Sequence, residues 1–207
     1  MPSWASPGYR NCMVGTFADV VIADAIVKEV KNFDLSLAVE ALKKDAFVQP
    51  PSYSGGAAGK DGLESYKTLG FIPQESGGES VSRTLDFGFA DYSTAQSFKK
   101  LAGHADFQAQ AKDLLSDAAT LERRAERAVE SMFDKSSGFM VPTRSQGIKS
   151  SNFNPIVWGE GFTEGSSWHH SFPPYLIQHL AKLHGGKDKL IRKLKEMLTT
   201  TSSFHPG

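Results

Sequence analysis

Two glutamates stand among large aromatic residues between Trp158 and Tyr175, and these are the side chains best suited to chemistry. Glu160 and Glu164 alternate with glycines and with four rings, those of Trp158, Phe162, Trp168 and Phe172. Sugar faces stack on aromatic rings, and a carboxyl group shielded from water keeps its proton near neutral pH. The stretch therefore indicates a carbohydrate site that contains an acid. The alternative is a structural loop whose rings fill a core.

Two histidines follow the last tryptophan of this stretch and invite a zinc interpretation. His169 and His170 are neighbours in sequence, so their side chains point apart, and the HExxH spacing of zinc peptidases is absent. We expect them to bond water, backbone or substrate instead. Cys12 is the single cysteine, so no internal disulfide is expected and a small buried side chain is the simpler interpretation.

The composition is electrically balanced and has enough apolar residues for a core. Lysine plus arginine number 23, aspartate plus glutamate also number 23, and 40% of residues are hydrophobic. A chain without net charge does not favour nucleic acid or an anionic membrane and suits a neutral ligand. The most apolar run, Val20 to Val27, is far too short to cross a bilayer, so we predict a core helix there. The first residues lack the basic-then-apolar pattern of a signal peptide.

Helical patterns alternate with loops along the whole chain, and no period-two alternation indicates a strand. Asp34 is a predicted N-cap, residues 66–73 are expected to be irregular, and the polar run from Glu122 to Arg127 is expected to be a solvated face. Segments 49–62 and 138–168 are rich in turn residues and predict loops. The chain is therefore predicted to be all-α. Helices are predicted twice within the first 45 residues, and then over Val81–Leu101, Phe107–Phe133, Tyr175–Leu183 and Leu190–Leu198.

Several segments, in the same order, resemble the α-mannosidases of glycoside hydrolase family 92. The second strongest, Val81 to Tyr92, is similar to the family's helix written roughly Val-Ser-x-Thr-Leu-Glu-Tyr-Ala-x-Asp-Asp-Trp. The matching segments are Met13–Ala25, Gly70–Pro73, Glu79–Tyr92, Gly138–Met140, and Phe162–Trp168 followed by Leu183–Gly186. The resemblance implies an (α/α)6 toroid, calcium dependence, a secreted or extracellular location, and a mannose-containing glycan as substrate. The reaction it implies is hydrolysis of α-mannosidic linkages, α-1,2-mannosidase-like, with inversion of configuration.

The resemblance also implies roles for four residues. Glu164 matches the glutamate of the family's Thr-Glu-Gly-x-x-Trp motif, the general acid that protonates the departing oxygen. Asp19 matches an aspartate that looks like a contact to mannose hydroxyls, and a cap or a core hydrogen bond is its alternative. Asp91 and Trp168 match positions that line the site, and structural packing is the alternative for both.

The chain also departs from the family's pattern. Phe17 stands where the family usually has histidine, and Ala90 replaces the first acid of its Asp-Asp pair. The usual Gln-Tyr after Trp168 is His169-His170, so the leaving-group specificity does not carry over.

An inverting glycosidase also needs a second carboxylate about 6.5 to 9.5 Å from the acid. The family supplies it from a Gly-Asn-Asp segment that is not found here. We therefore expect residues 1–207 to be a single, partial catalytic domain, without the family's β-sandwich domain and with most calcium ligands outside the chain.

Three hypotheses follow for the function. The first is a mannosidase fragment whose isolated activity is weak or nil, with helix faces that stay uncovered and favour self-association. The second is a non-catalytic carbohydrate-binding or scaffold fragment that has inherited Glu164. The third is another (α/α)6 enzyme, such as a polysaccharide lyase, which needs a tyrosine or histidine base.

Overall fold

The structure is a computed structural model, and it describes residues 15–53, 56–57, 59–157, 159, 161–163 and 165–199. Its regular elements are mostly helices, as predicted. The helices are α1 (Phe17–Val27), α2 (Leu35–Phe47), α3 (Leu63–Leu69), α4 (Ser80–Ala102), α5 (Ala111–Met132), α6 (Ser167–His170), α7 (Ile177–Leu183) and α8 (Lys187–Thr199). Short 3-10 turns lie at Gln74–Ser76, Ala105–Gln110 and Pro174–Leu176.

Two very short antiparallel pairs occur, although the sequence analysis predicted no strand. Strand β1 (Ser52–Tyr53) pairs with β2 (Gly56–Ala57), and β3 (Phe133–Asp134) pairs with β4 (Phe139–Met140). Each strand has only two residues, so it leaves no alternating pattern in the sequence. The second pair closes the turn directly after α5.

The chain divides into two compact units. Unit 1 comprises residues 1–64 and 86–125, and unit 2 comprises residues 65–85 and 126–207. The two boundaries at 85/86 and 125/126 fall inside α4 and α5. The expectation of a single domain over 1–207 stays a prediction.

The core of unit 1 is built by helices α1 and α2 with the later part of α4 and the earlier part of α5. These helices place apolar residues at spacings of three and four on one face, as the sequence pattern predicts. The core residues include Ile26, Ala38, Val39, Leu42, Ala95, Phe98, Leu101, Leu114, Ala118 and Leu121. Asp34 caps α2 as predicted, because its Oδ1 accepts a hydrogen bond of 2.9 Å from the backbone N–H of Leu37.

The core of unit 2 joins α7 and α8 to the segment around β3 and β4. Its buried residues include Phe71, Val81, Leu85, Val129, Met132, Phe133, Met140, Phe162, Leu180 and Leu190. The Tyr175 hydroxyl donates a hydrogen bond of 3.1 Å to the backbone oxygen of Leu85. This packing surrounds the loop that carries the aromatic residues of the predicted site.

Three expectations from the sequence are wrong. Residues 66–73 are not all irregular, because α3 covers Leu63–Leu69 and is held by the buried side chains of Leu63 and Tyr66. The run Glu122–Arg127 is not simply a solvated face, because Arg124 turns inward to a buried carboxylate. Helix α1 is also not a core helix throughout, since Val21 on it is 58% exposed.

Exposed apolar side chains on α1 and α2, such as Val21 and Leu37, agree with the expectation of uncovered helix faces. Self-association through these faces stays a prediction. Among the helices that the structure describes, none combines the length and the apolar character that crossing a membrane requires.

Candidate active site

Asp19 lies in the first turn of α1 and is almost buried, with 6% of its surface exposed. The hydroxyl of Thr16, the residue before the helix, donates a hydrogen bond of 2.9 Å to Asp19 Oδ2. The backbone N–H of Asp19 in turn donates to the Thr16 oxygen at 2.9 Å. This local pair fixes the carboxyl group at the beginning of α1. Its role as a contact to mannose hydroxyls stays a prediction.

Asp91, on α4, is fully buried between two cations. Lys60 Nζ lies 2.6 Å from Asp91 Oδ1, and Arg124 donates to Asp91 Oδ2 through Nε at 2.7 Å. Arg124 also donates to the backbone oxygen of Ala46 at 2.9 Å, which ties α5 to the end of α2. These contacts are what the packing alternative for Asp91 expects. Lining of a sugar site by this residue stays a prediction.

Lys60 connects Asp91 to two further carboxyl groups. Its Nζ lies 3.9 Å from Asp19 Oδ2 and 4.0 Å from Asp45 Oδ2, and its side chain has no exposed surface. A buried ammonium group needs compensating negative charge, and three aspartates supply it here. Asp19, Asp45, Lys60, Asp91 and Arg124 all belong to unit 1. We call this group the acid cluster.

The acid cluster holds a proton between two of its aspartates at neutral pH. Burial raises the pKa of Asp19 to about 8, and a hydrogen bond to Asp45 and the negative charge of Asp45 act in the same direction. Lys60 and Thr16 lower the pKa of Asp19 by less. Asp45 Oδ2 is buried and has no donor within hydrogen-bond distance among the described residues. A proton on Asp19 gives Asp45 the donor that it otherwise lacks, so the two carboxyl groups share one negative charge.

The predicted acid, Glu164, lies outside the described residues, as does Glu160, but the positions of its neighbours are defined. The Gly161 oxygen accepts hydrogen bonds of 3.0 and 3.2 Å from the N–H groups of Val81 and Ser82 at the beginning of α4. The Thr163 N–H donates to Ser82 Oγ at 2.9 Å. All four residues belong to unit 2. The chain just before position 164 is therefore anchored to the first turn of α4.

On the other side of position 164, the chain is fixed by a local bond between Ser166 and His169. The Ser166 N–H donates to His169 Nδ1 at 3.1 Å, and the Ser166 hydroxyl lies 3.1 Å from the same nitrogen. His170 Nδ1 lies 3.0 Å from the Ser166 oxygen, and burial lowers the pKa of the His170 ring. Both histidines therefore bond backbone and side-chain groups at the beginning of α6, as the sequence analysis expected.

Trp168 is buried against its neighbours, with 6% of its surface exposed. The Phe139 ring meets it edge to face at 4.7 Å between centroids, and Lys193 Nζ lies 4.9 Å from its ring. These contacts are those of the packing alternative. Its predicted role as a wall of the sugar site stays a prediction.

The described residues do not fit a calcium site. They contain no group of three or more His, Cys, Asp or Glu residues placed to hold a metal ion. The carboxylates of the acid cluster are already compensated by Lys60 and Arg124, so they are poor candidates for hard cations that need several free oxygens. We therefore assign calcium to no residue here.

Sequence reasoning missed Lys60, Asp45 and Arg124, which complete the acid cluster. One signal was available in the sequence. Lys60 follows Gly59 inside the turn-rich segment 49–62, and an isolated lysine among glycines is a candidate for a buried partner of the acids on nearby helices. Arg124 was hidden in a polar run whose other residues do face solvent.

Comparison with known proteins gives a family-level match. Residues 1–206 match the sequence model described as the glycosyl hydrolase family 92 catalytic domain. A fungal protein from Arthroderma benhamiae, named an uncharacterized secreted glycosidase, is 44% identical over 87 residues, which is 38% of this chain and 11% of that protein.

Solved structures support the same grouping. A family 92 inverting mannosidase from Bacteroides thetaiotaomicron is 27% identical, with a TM-score of 0.76 over 94% of this chain and 25% of that one. A family 92 α-mannosidase from the same species is 31% identical, with a TM-score of 0.74 over 91% of this chain and 22% of that one. The chain thus spans about a quarter of the length of these enzymes. The likeness confirms the predicted fold class, an all-α chain that forms part of a larger helical toroid.

Proposed function

Because the chain belongs to the glycosyl hydrolase family 92 catalytic domain, we propose that it works on α-mannosides as part of a larger hydrolase. The observation that carries this proposal is the structural likeness to two mannosidases, with TM-scores of 0.76 and 0.74 over more than nine tenths of the chain. The neutral net charge agrees with an uncharged sugar as substrate. A mannose-containing glycan is therefore the proposed substrate.

Glu164 is the proposed general acid. It donates a proton to the departing glycosidic oxygen, which needs a carboxyl group that remains protonated near neutral pH. The hydrogen bonds from Thr163 to Ser82 and from Ser166 to His169 support this assignment, because they fix the chain on both sides of position 164. A flexible loop would not hold an acid within hydrogen-bond reach of the leaving oxygen.

Inversion and α-1,2 preference are finer parts of the same proposal. Inversion requires a water molecule on the opposite face of the sugar and a second carboxylate that activates it. No residue of this chain is assigned that role, so we propose weak or no turnover by the 207 residues alone. The one solved relative that is named inverting supports this stereochemistry for the family quarter that the chain matches.

Asp19, Asp91 and Trp168 are proposed to support the sugar site in different ways. Asp19 is the candidate for a direct contact, whereas the buried Asp91 holds Lys60 and Arg124 in place around it. Trp168 packs beneath the loop that carries Glu164. Calcium dependence and secretion are proposed from the family and from the secreted relative, and we assign no step to calcium.

The test is an assay of mannose release and mannoside binding by the chain, with calcium present and with Glu164→Gln beside the unchanged sequence. Slow release that this substitution abolishes supports hydrolysis. Binding without any release favours the second hypothesis, a non-catalytic carbohydrate-binding fragment. A chain that neither binds nor releases mannose contradicts both.

A further inference from the structure

Asp86, on α4 in unit 1, is an acid that the proposed chemistry has not used. It is partly buried, and burial alone raises the pKa of its carboxyl group to about 7. Within the part of the chain that the structure describes, no hydrogen bond or ion pair satisfies this group. A desolvated acid without a partner lowers stability, so its presence calls for a physical reason.

The contrast with Asp91, five residues later on the same helix, makes this plain. Asp91 is fully buried and receives hydrogen bonds from Lys60 at 2.6 Å and from Arg124 at 2.7 Å. Asp86 has neither cation, although it is partly accessible. Asp91 is therefore satisfied by the fold itself, whereas Asp86 is left with unused hydrogen-bonding capacity.

The surroundings of Asp86 are an open space beside an aromatic ring. A side chain at Gly15 would place its Cβ 3.2 Å from Asp86 Oδ2 and 2.8 Å from Phe17 Cε2, and the φ of +84° at this position also favours glycine. Gly15 thus keeps clear the space between the carboxyl group and the ring. Phe17 is 47% exposed, and its ring lies 6.4 Å from that of Phe89, which is one helical turn from Asp86 on α4.

We propose that Asp86 and Phe17 form a sugar contact over Gly15, in which the Asp86 carboxyl group bonds a hydroxyl of a neutral pyranose and the Phe17 ring stacks on its apolar face. This inference rests on the proposed function, since it names a second binding residue for the same class of substrate. Aromatic faces and carboxyl groups are the usual partners of sugars. Phe17 and Asp19 lie in the first turn of α1, so the contact would extend the one predicted for Asp19.

The test is a titration of methyl α-mannoside against the 207-residue chain, followed by NMR or calorimetry. Asp86→Asn keeps the shape but removes the acid, and we expect it to weaken binding about tenfold, the loss of one hydrogen bond to an acid. Phe17→Leu should weaken binding by several-fold, and Phe17→Tyr should retain it. Asp24→Asn, an exposed acid of α1 that pairs with Lys28, is the matched control and should leave binding unchanged.

Stability measurements separate a binding role from a structural one. Removal of an unsatisfied, desolvated acid should leave the unfolding temperature of Asp86→Asn equal to or above that of the unchanged chain. Weaker binding by a variant that is equally or more stable supports the proposal. Unchanged binding by Asp86→Asn overturns it, as does a lower unfolding temperature or the absence of any mannoside binding by the unchanged chain.

Failure of the hydrolysis proposal has a different signature. Glu164→Gln should abolish release of mannose while leaving Asp86-dependent binding intact. If the unchanged chain binds mannoside through Asp86 but releases none, the catalytic proposal fails and the sugar contact stands.

Discussion

The ammonium group of Lys60 lies 2.6 Å from Asp91 Oδ1, and neither side chain has any exposed surface. Forty-one residues earlier and fifteen residues earlier in the chain, Asp19 and Asp45 approach the same nitrogen at 3.9 and 4.0 Å. One cation thus ties α1, α2 and α4 of unit 1 together at a point where water cannot reach. Arg124 completes the charge balance from α5.

Replacing the cation should be strongly destabilising. Lys60→Met keeps much of the volume but leaves buried carboxylates without compensation, and we expect a loss of about 3 to 5 kcal/mol in the free energy of unfolding. Lys28→Met is the matched control, because Lys28 forms an exposed ion pair with Asp24 and should cost no more than about 0.5 kcal/mol. Urea denaturation measures both. Equal effects at the two positions would contradict the role that we give Lys60.

Stability should fall as the pH rises, because the pKa of Asp19 is raised from 3.8 to about 8 by folding. Below pH 4 both the folded and the unfolded chain carry this proton, and the stabilising contribution is fully present. Between pH 4 and pH 8 the unfolded chain has lost the proton while the folded chain keeps it, so the contribution is lost as the pH rises through this window. Asp45, Lys60 and Thr16 are the groups that face Asp19.

Asp19→Asn provides the comparison for that window. The amide cannot ionise but still has a donor for Asp45, so the stability of this variant should depend less on pH between 5 and 9. The difference in unfolding free energy between the unchanged chain and Asp19→Asn, measured by urea denaturation at three pH values, should grow with pH. A constant difference would show that Asp19 does not hold its proton in the folded state.

Much of the helical framework could be predicted from the sequence, whereas the acid cluster could not. The spacing of Val81, Leu85 and Leu101 predicted α4 within a residue or two at each end, and Asp34 predicted the beginning of α2. Such patterns depend on neighbours three or four positions apart. The acid cluster instead joins positions 19, 45, 60, 91 and 124, which no local spacing rule connects.

The same reasoning explains the errors at α3 and Arg124. A helix of seven residues is too short for its periodicity to stand out, and burial of Leu63 and Tyr66 decides its formation. Arg124 stands in a run of charged residues that is typical of a solvated face. Only the position of Asp91 on the neighbouring helix shows why this one guanidinium turns inward.

Gly59, which precedes Lys60, should not tolerate a side chain. Its φ is +77°, and a Cβ there would lie 2.6 Å from Asp45 Oδ1. Gly147 has a φ of +78° with nothing within 4 Å, so Gly147→Ala measures the backbone cost alone, about 1 kcal/mol. Gly59→Ala should cost clearly more, because crowding of Asp45 is added. Similar losses of unfolding free energy in the two variants would contradict a close approach between Gly59 and the acid cluster.

The bond between Ser82 and Thr163 should control order near the predicted acid. Ser82→Ala removes the acceptor of the Thr163 N–H, at a cost of about 1 kcal/mol to local stability. The Thr163 amide should then exchange its hydrogen about fivefold faster, as NMR can measure. Ser116→Ala on α5 is the control, because Ser116 offers only its backbone oxygen to Thr120. Unchanged exchange at Thr163 would show that the loop is ordered by other contacts.

A general acid at position 164 predicts a dependence on the leaving group. Departure of methanol from methyl α-mannoside needs a proton, whereas departure of dinitrophenolate from its α-mannoside does not. Glu164→Gln should therefore reduce any release from the methyl glycoside by a factor of about 100 or more and release from the dinitrophenyl glycoside much less. Glu160→Gln, four residues earlier in a similar glycine context, is the matched control and should affect both substrates equally and weakly. Should Glu160→Gln show the selective loss instead, the acid would be Glu160, and equal losses from both substrates in Glu164→Gln would mean that this residue does not transfer the proton.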